Sequence, residues 1–194
     1  MKNTIKIIAA ILILTLLLTA CAVPDTAGSG GGGITSGGDT VTAGLPSDVP
    51  EDFAIRFVAG IGAPNIYDTY TGTIQKDLIV DGVAEANFSP DEQTLRNIYA
   101  KVVEYDICSI GREMTSDVLA GDGFGYGVDP LTVYEITVTA YGKTYTIHGD
   151  ATAEGFVETD KDADHFMSFV RFMYDILYNN PEYQSLPDAV GGYD

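Results

Sequence analysis

Cysteine is almost absent: only Cys21 and Cys108 occur in 194 residues. That excludes the disulfide framework which holds many small secreted domains together, so stability has to come from packing. Cations are scarce as well, with 10 Lys and Arg against 28 Asp and Glu and a formal charge of −18. Nucleic-acid recognition needs Lys and Arg to neutralise phosphates, so a nucleic-acid partner is excluded, and anionic lipid headgroups are repelled for the same reason. His148 and His165 are the only imidazoles. There is no Gly-x-Ser-x-Gly elbow, no His-Glu-x-x-His, no phosphate loop and no dinucleotide fingerprint. The common hydrolase, metalloenzyme and cofactor templates fail on these grounds, and no catalytic residue, metal or cofactor is expected. What is abundant is acid, which keeps an exported protein soluble and, on the counter-reading, attracts cations.

The first 21 residues have the order of an export signal. Lys2 and Lys6 open it, Ile7 to Leu18 form an almost unbroken apolar run, and Leu18-Thr19-Ala20-Cys21 follows. The run is too short and too close to a cysteine for a good spanning helix. Ala20 would also suit an ordinary cleaved secretory signal. The four residues ending at Cys21 resemble the lipobox of bacterial lipoproteins. This resemblance covers the signal alone. It implies that residues 1–20 are removed, that Cys21 is diacylated at sulfur, and that the protein is held at the extracytoplasmic face of the cell membrane. Two or three acyl chains on one residue anchor stably, where a single chain binds reversibly. Loss of Lys2 and Lys6 would leave the mature chain two charges more acidic. Lipidation would also leave Cys108 without an intramolecular partner. Cys108 follows Tyr105, Asp106 and Ile107 near an expected helix end, and the spacing offers no cation or base to activate it, which favours a buried, inert thiol.

Residues 21–46 read as a linker. Gly28-Ser29-Gly30-Gly31-Gly32-Gly33 and Ser36-Gly37-Gly38 have the composition of a flexible coil. Roughly 25 residues of this kind reach about 25–30 Å r.m.s., enough to let the following domain stand clear of a bilayer. A phosphate-binding reading of the glycines fails because no strand precedes them and no Lys-Ser/Thr follows.

Residues 47–194 are then expected to form a single extracytoplasmic domain. Phe53, Ile55 and Phe57 alternate with Ala54, Arg56 and Val58, the period of a half-buried strand, which Gly60, Gly62, Pro64 and Asn65 break. Two strands at about 70–80 and 83–88 are joined at Asp81-Gly82. Ser89-Pro90-Asp91-Glu92 reads as a capping box opening a helix, with Leu95, Ile98, Tyr99 and Val102 on its buried stripe. A second hairpin turns at Tyr141-Gly142, which sets Val138 against Tyr145 and Ile136 against Ile147 on one face, and Glu135 against His148 on the other. Thr159 or Asp160 caps a last helix, with Phe166, Phe169, Val170, Met173, Ile176 and Leu177 inward, ended by Asn179-Asn180-Pro181. The expected class is α+β, an antiparallel sheet of about five strands with two amphipathic helices on one face.

Several residues invite a functional reading. Asp160, Asp162 and Asp164 have the spacing that opens an EF-hand loop, but His165 and Arg171 stand where its glycine and bidentate glutamate belong, so a helix start explains them better. The run of Phe166, Phe169, Phe172, Tyr174 and Tyr178 could form a carbohydrate or cofactor surface; on a helix this apolar the core reading is preferred. His148 is expected to pair with Glu135 on the surface, and His165 to be solvated or partly packed. The segment 112–130 is longer than most connections, and Phe124 and Tyr126, set between Gly121 and Gly127 with no periodic partner, are candidate anchors for a protein or glycan. The alternative is that both rings fold back as a lid on the core. Finally, Pro181 to Pro187, Gly191-Gly192-Tyr193 and the Asp68-Thr69 loop are similar to segments of small bacterial surface lipoproteins with α+β ectodomains. That likeness implies fold and location and carries no catalytic residue. It leaves a non-catalytic binding or scaffolding role as the first expectation and a tethered hydrolase as the second.

Overall fold

Alternation in the central strand gives the sheet its two faces. In β1 (Ala54–Gly60), Ile55, Phe57 and Ala59 are fully buried and the residues between them are half-buried. A computed structural model describes residues 45–62, 64–115 and 130–193. These lie in one compact unit, Val41–Asp194. β1 pairs on one side with β2 (Asn65–Asp68) and on the other with β5 (Val133–Ala140), so that Phe57 stands opposite both Tyr67 and Ile136. β3 (Thr73–Ile79), β4 (Gly82–Asn87) and β6 (Lys143–Asp150) complete an antiparallel sheet in the order β4-β3-β2-β1-β5-β6.

The second hairpin has the register expected of it, with Ile136 opposite Ile147, Val138 opposite Tyr145 and Glu135 opposite His148. Tyr141 and Gly142 both have positive φ, 53° and 73°, as a two-residue hairpin turn requires. Asp52, just ahead of β1, accepts from the amides of Tyr141 (2.9 Å) and Gly142 (2.6 Å), a long-range contact that fixes the hairpin tip.

Three local expectations shift. β2 is a sixth strand inside the stretch read as a break; the Asn65 side chain donates to the Ala59 carbonyl and accepts from the Asp77 amide, joining three strands. In the first hairpin the turn lies at Val80-Asp81, one residue earlier than Asp81-Gly82, because a bulge between Asp77 and Ile79 gives Ile79 a φ of 64°. The cap of α1 (Glu92–Glu104) is Asp91 rather than Ser89: its carboxylate accepts from both the amide and the hydroxyl of Thr94, at 2.8 and 2.9 Å.

α1 and α2 (Lys161–Tyr178) cover one face of the sheet. Ile98 and Val102 from α1 and Phe166, Phe169, Val170, Met173 and Leu177 from α2 join the inward residues of the strands in a single core. A short 3-10 turn, Ile107–Ser109, holds Cys108 half-buried against that core, and burial, reinforced by the nearby Asp106, pushes its thiol up to about 12. The open face is polar: Thr137 bonds Thr146, Thr139 bonds Thr144 and Tyr70, and Arg56 pairs with Glu135 and Asp68.

Asp160 caps α2, accepting from the amides of Asp162 (2.9 Å) and Ala163 (3.1 Å), and it also meets the Arg112 guanidinium. Burial alone would raise its carboxyl; the guanidinium and the helix amides outweigh that and hold it below the usual carboxylate range. A lowered folded-state value stabilises the protein above the unfolded value near 4, and that contribution is lost as pH falls through the folded value. In Asp160→Asn the cap is kept and the charge removed. The urea midpoint of the variant should therefore lie below that of the wild type at pH 7, and the gap should close toward pH 3. A gap that does not change with pH would rule out the Arg112–Asp160 charge as its source.

Candidate ligand-binding cleft

At one end of the sheet the close of α2 meets β2, β3 and the C-terminal segment, and aromatic side chains gather there. Tyr174 and Tyr178 are four residues apart and so lie on one side of α2. Asn179 ends the helix. Asn180 accepts from the Tyr183 amide at 3.0 Å and starts α3 (Pro181–Ser185) with proline at its head, which turns Tyr183 back toward the sheet. The tail is held by a parallel bridge of Val190 to Ile79, with Val190 donating to the Leu78 carbonyl (3.2 Å) and accepting from the Val80 amide (3.3 Å). This seats the Tyr193 hydroxyl on the Asp77 carboxylate. With Asn65 and Lys76 these residues line an open cleft of about 290 Å³.

The rings brace one another. Tyr174 and Tyr178 stack with centroids 5.2 Å apart at 25°, and Tyr178 lies 5.6 Å from Tyr183. Tyr178 is 49% exposed while its neighbours hold it in place. The Tyr183 hydroxyl donates to Asn65 Oδ1 at 2.8 Å, and Lys76 Nζ sits 5.3 Å from the centre of the Tyr183 ring. Burial raises the Tyr174 and Tyr178 phenols above their ordinary value; for Tyr183, burial with the neighbouring Tyr178 and Asp77 pushes it up to about 12. All three stay protonated at neutral pH. They can stack and hydrogen-bond, and they are unsuited to proton abstraction.

The residues singled out from sequence divide. Cys21, Phe124 and Tyr126 lie outside the described residues. Phe166 and Phe169 are core, as expected, whereas Tyr174 and Tyr178 from the same run line the cleft. Of the three aspartates at the helix start, Asp160 caps α2 and pairs with Arg112, Asp162 pairs with Arg112, and Asp164 lies in the first turn; among the described residues no cluster of His, Cys, Asp and Glu could hold a metal ion. His165 is partly packed, its Nδ1 2.7 Å from the Tyr105 carbonyl and its ring beside that of Tyr105. His148 faces Glu135 across the hairpin at 3.8 Å, too long for a hydrogen bond.

His148 and Glu135 do share a groove of about 340 Å³ with Glu113 and Asp150. Each carboxylate placed there by the hairpin has other work: Asp150 accepts from Thr152, and Glu135 meets Arg56. Two larger grooves, about 470 and 520 Å³, run past the start of α1. Several of their polar groups are engaged in capping or in local ion pairs, Asp91 with Thr94, Glu92 with Arg96 and Asn180 with Tyr183. Of these clefts among the described residues, the tyrosine cleft combines an exposed, braced aromatic ring with polar groups from three separate elements. No family model matches the chain, and no curated protein matches it.

Proposed function

We propose that this chain is a lipoprotein tethered at the extracytoplasmic face of a bacterial cell membrane through Cys21, and that its domain binds an extracytoplasmic ligand in the tyrosine cleft without chemistry of its own. The lipobox-like Leu18-Thr19-Ala20-Cys21 supports the tether. The observation that carries the binding role is the exposed Tyr178 ring, stacked on Tyr174 and flanked by phenols that stay neutral. Aromatic anchors bring large contact area with few rotors, which is what a binding surface needs and a proton-transfer site does not.

A tethered hydrolase is the second reading, and the groove of Glu113, Glu135, His148 and Asp150 favours it by convergence alone. Among the described residues, the 3.8 Å separation of His148 from Glu135 gives the imidazole no orienting hydrogen bond.

Fractionation tests the tether. Cys21→Ser should move the protein from the membrane to the soluble fraction, because the thioether-linked lipid is the sole attachment in this reading. Full retention of the variant after a high-salt wash would reject it. Among the described residues no helix is long and apolar enough to cross a membrane.

A further inference from the structure

We infer that the ligand of the tyrosine cleft is a neutral glycan chain; this rests on the binding role proposed above and names its ligand class. The shape of the aromatic platform comes first. Tyr178 is half exposed yet stacked on Tyr174 at 25° and braced by Tyr183, so the part of its ring that solvent reaches is pre-positioned. A pyranose ring carries a flat patch of C–H bonds on one face, and a fixed aromatic plane receives that patch with little ordering cost.

The wall opposite supplies what hydroxyl groups need. Lys76 donates, and Asn65 keeps one side-chain N–H beyond the one given to Ala59, while the Asp77 carboxylate, taken by the Ile79 amide and the Tyr193 hydroxyl, balances the lysine charge. Besides its place over the Tyr183 ring, Lys76 has long polar contacts among the described residues, 3.5 Å to the Leu186 carbonyl and 3.7 Å to the fully exposed Asp188, so a ligand hydroxyl can compete for it. Tyr193 fixes the rim: its hydroxyl is on Asp77, and its ring lies so close to Gly62 that a Cβ there would stand 2.9 Å from it.

Other ligand classes fit less well. Anionic polymers meet a protein of formal charge −18 with a single lysine in the cleft. A free alkylammonium would seek a tyrosine face, but Lys76 already holds the cation position over Tyr183. The cleft is at the small end of ligand pockets, about 300–1,000 Å³, and is open along its length, which suits a short stretch of a longer chain more than an enclosed small molecule.

The test is co-sedimentation of the full lipidated chain, held in a zwitterionic detergent that carries no sugar, with insoluble chitin, cellulose, the deproteinised envelope polysaccharide of the producing cell, and cross-linked polygalacturonate. Retention is expected on at least one of the neutral polymers and not on polygalacturonate. Tyr178→Ala should weaken that retention at least about tenfold with Tm lowered by no more than about 4 °C. Tyr178→Phe, which keeps the ring, should retain binding within about twofold, and Lys76→Met should weaken it severalfold. Retention on none of the three glycans, on polygalacturonate only, or equally by Tyr178→Ala would overturn the glycan assignment. Cross-linking in intact envelopes separates that failure from failure of the cleft itself: Tyr178-dependent capture of a protein would leave the cleft as a binding surface with a different ligand, and capture indifferent to Tyr178 would remove both.

Discussion

Truncating Ile136 to Ala is expected to cost about 2–5 kcal/mol of unfolding free energy, while Thr137→Ala, one residue along, costs less than about 1 kcal/mol. The larger part of the difference comes from which face of β5 each occupies. Ile136 is completely buried and stands between Phe57 of β1 and Ile147 of β6, so its removed methyl groups leave a cavity roofed by helices that cannot collapse onto it. Thr137 sits on the open face, opposite Arg56 and Thr146, and its hydroxyl bond to Thr146 at 3.1 Å is half in water. Urea unfolding of the pair reads the difference directly. Equal losses at the two positions would mean that the strand is buried on both faces or registered one residue out.

That hairpin was legible because two independent signals agreed. The period of two fixed which residues of each strand share a face, and Tyr141-Gly142 fixed how the strands meet, so only one register buried Ile136 and Ile147 together. β2 was hidden for the opposite reason. It has four residues, it follows Gly62 and Pro64 and opens on Asn65, and it is held by pairing with β1 and β3 and by Asn65 side-chain bonds to both, none of which a periodicity of so few residues reveals. The helix cap shifted by two residues because Ser89 and Asp91 are both competent caps, and only the double bond of Asp91 to Thr94 decides between them.

The cleft was illegible from one helix alone. Tyr174 and Tyr178 each follow a buried residue, Met173 and Leu177, and so lie about 100° round the helix, on the edge of the apolar stripe. Periodicity places a residue on that edge without saying what faces it. Here the neighbours are Tyr183, Asn65, Lys76 and the C-terminal tail, brought in by the Asn180-Pro181 turn and by the Val190 bridge. A signal was present in the sequence, in the tyrosines at 174, 178, 183 and 193, but only the turn after α2 and the pairing of the tail bring them together.

Gly149→Ala should destabilise the protein by about 1–3 kcal/mol, against the usual sign for such a change. In a strand with space, replacing glycine by alanine reduces the freedom of the unfolded chain and stabilises by about 0.4–1 kcal/mol. Gly149 has no such space. A Cβ there would lie 2.4 Å from Cζ and 2.5 Å from Cε1 of Phe166, and 3.0 Å from Cβ of Met114. Neither neighbour can step aside freely. Phe166 is fully buried, with its ring edge-on to Tyr134 at 6.1 Å, and Met114 is pinned to β6 by bonds from its amide to the His148 carbonyl (2.8 Å) and from the Asp150 amide to its carbonyl (3.1 Å). The cost should therefore depend on the size of residue 166. Phe166→Leu alone leaves a gap over β6 and destabilises; combined with Gly149→Ala, the new methyl enters that gap. The double variant should then be more stable than the sum of the single losses implies, by about 0.5–3 kcal/mol of favourable coupling. Additive losses, or a Gly149→Ala protein as stable as the wild type, would show that the Phe166 ring does not close over this strand.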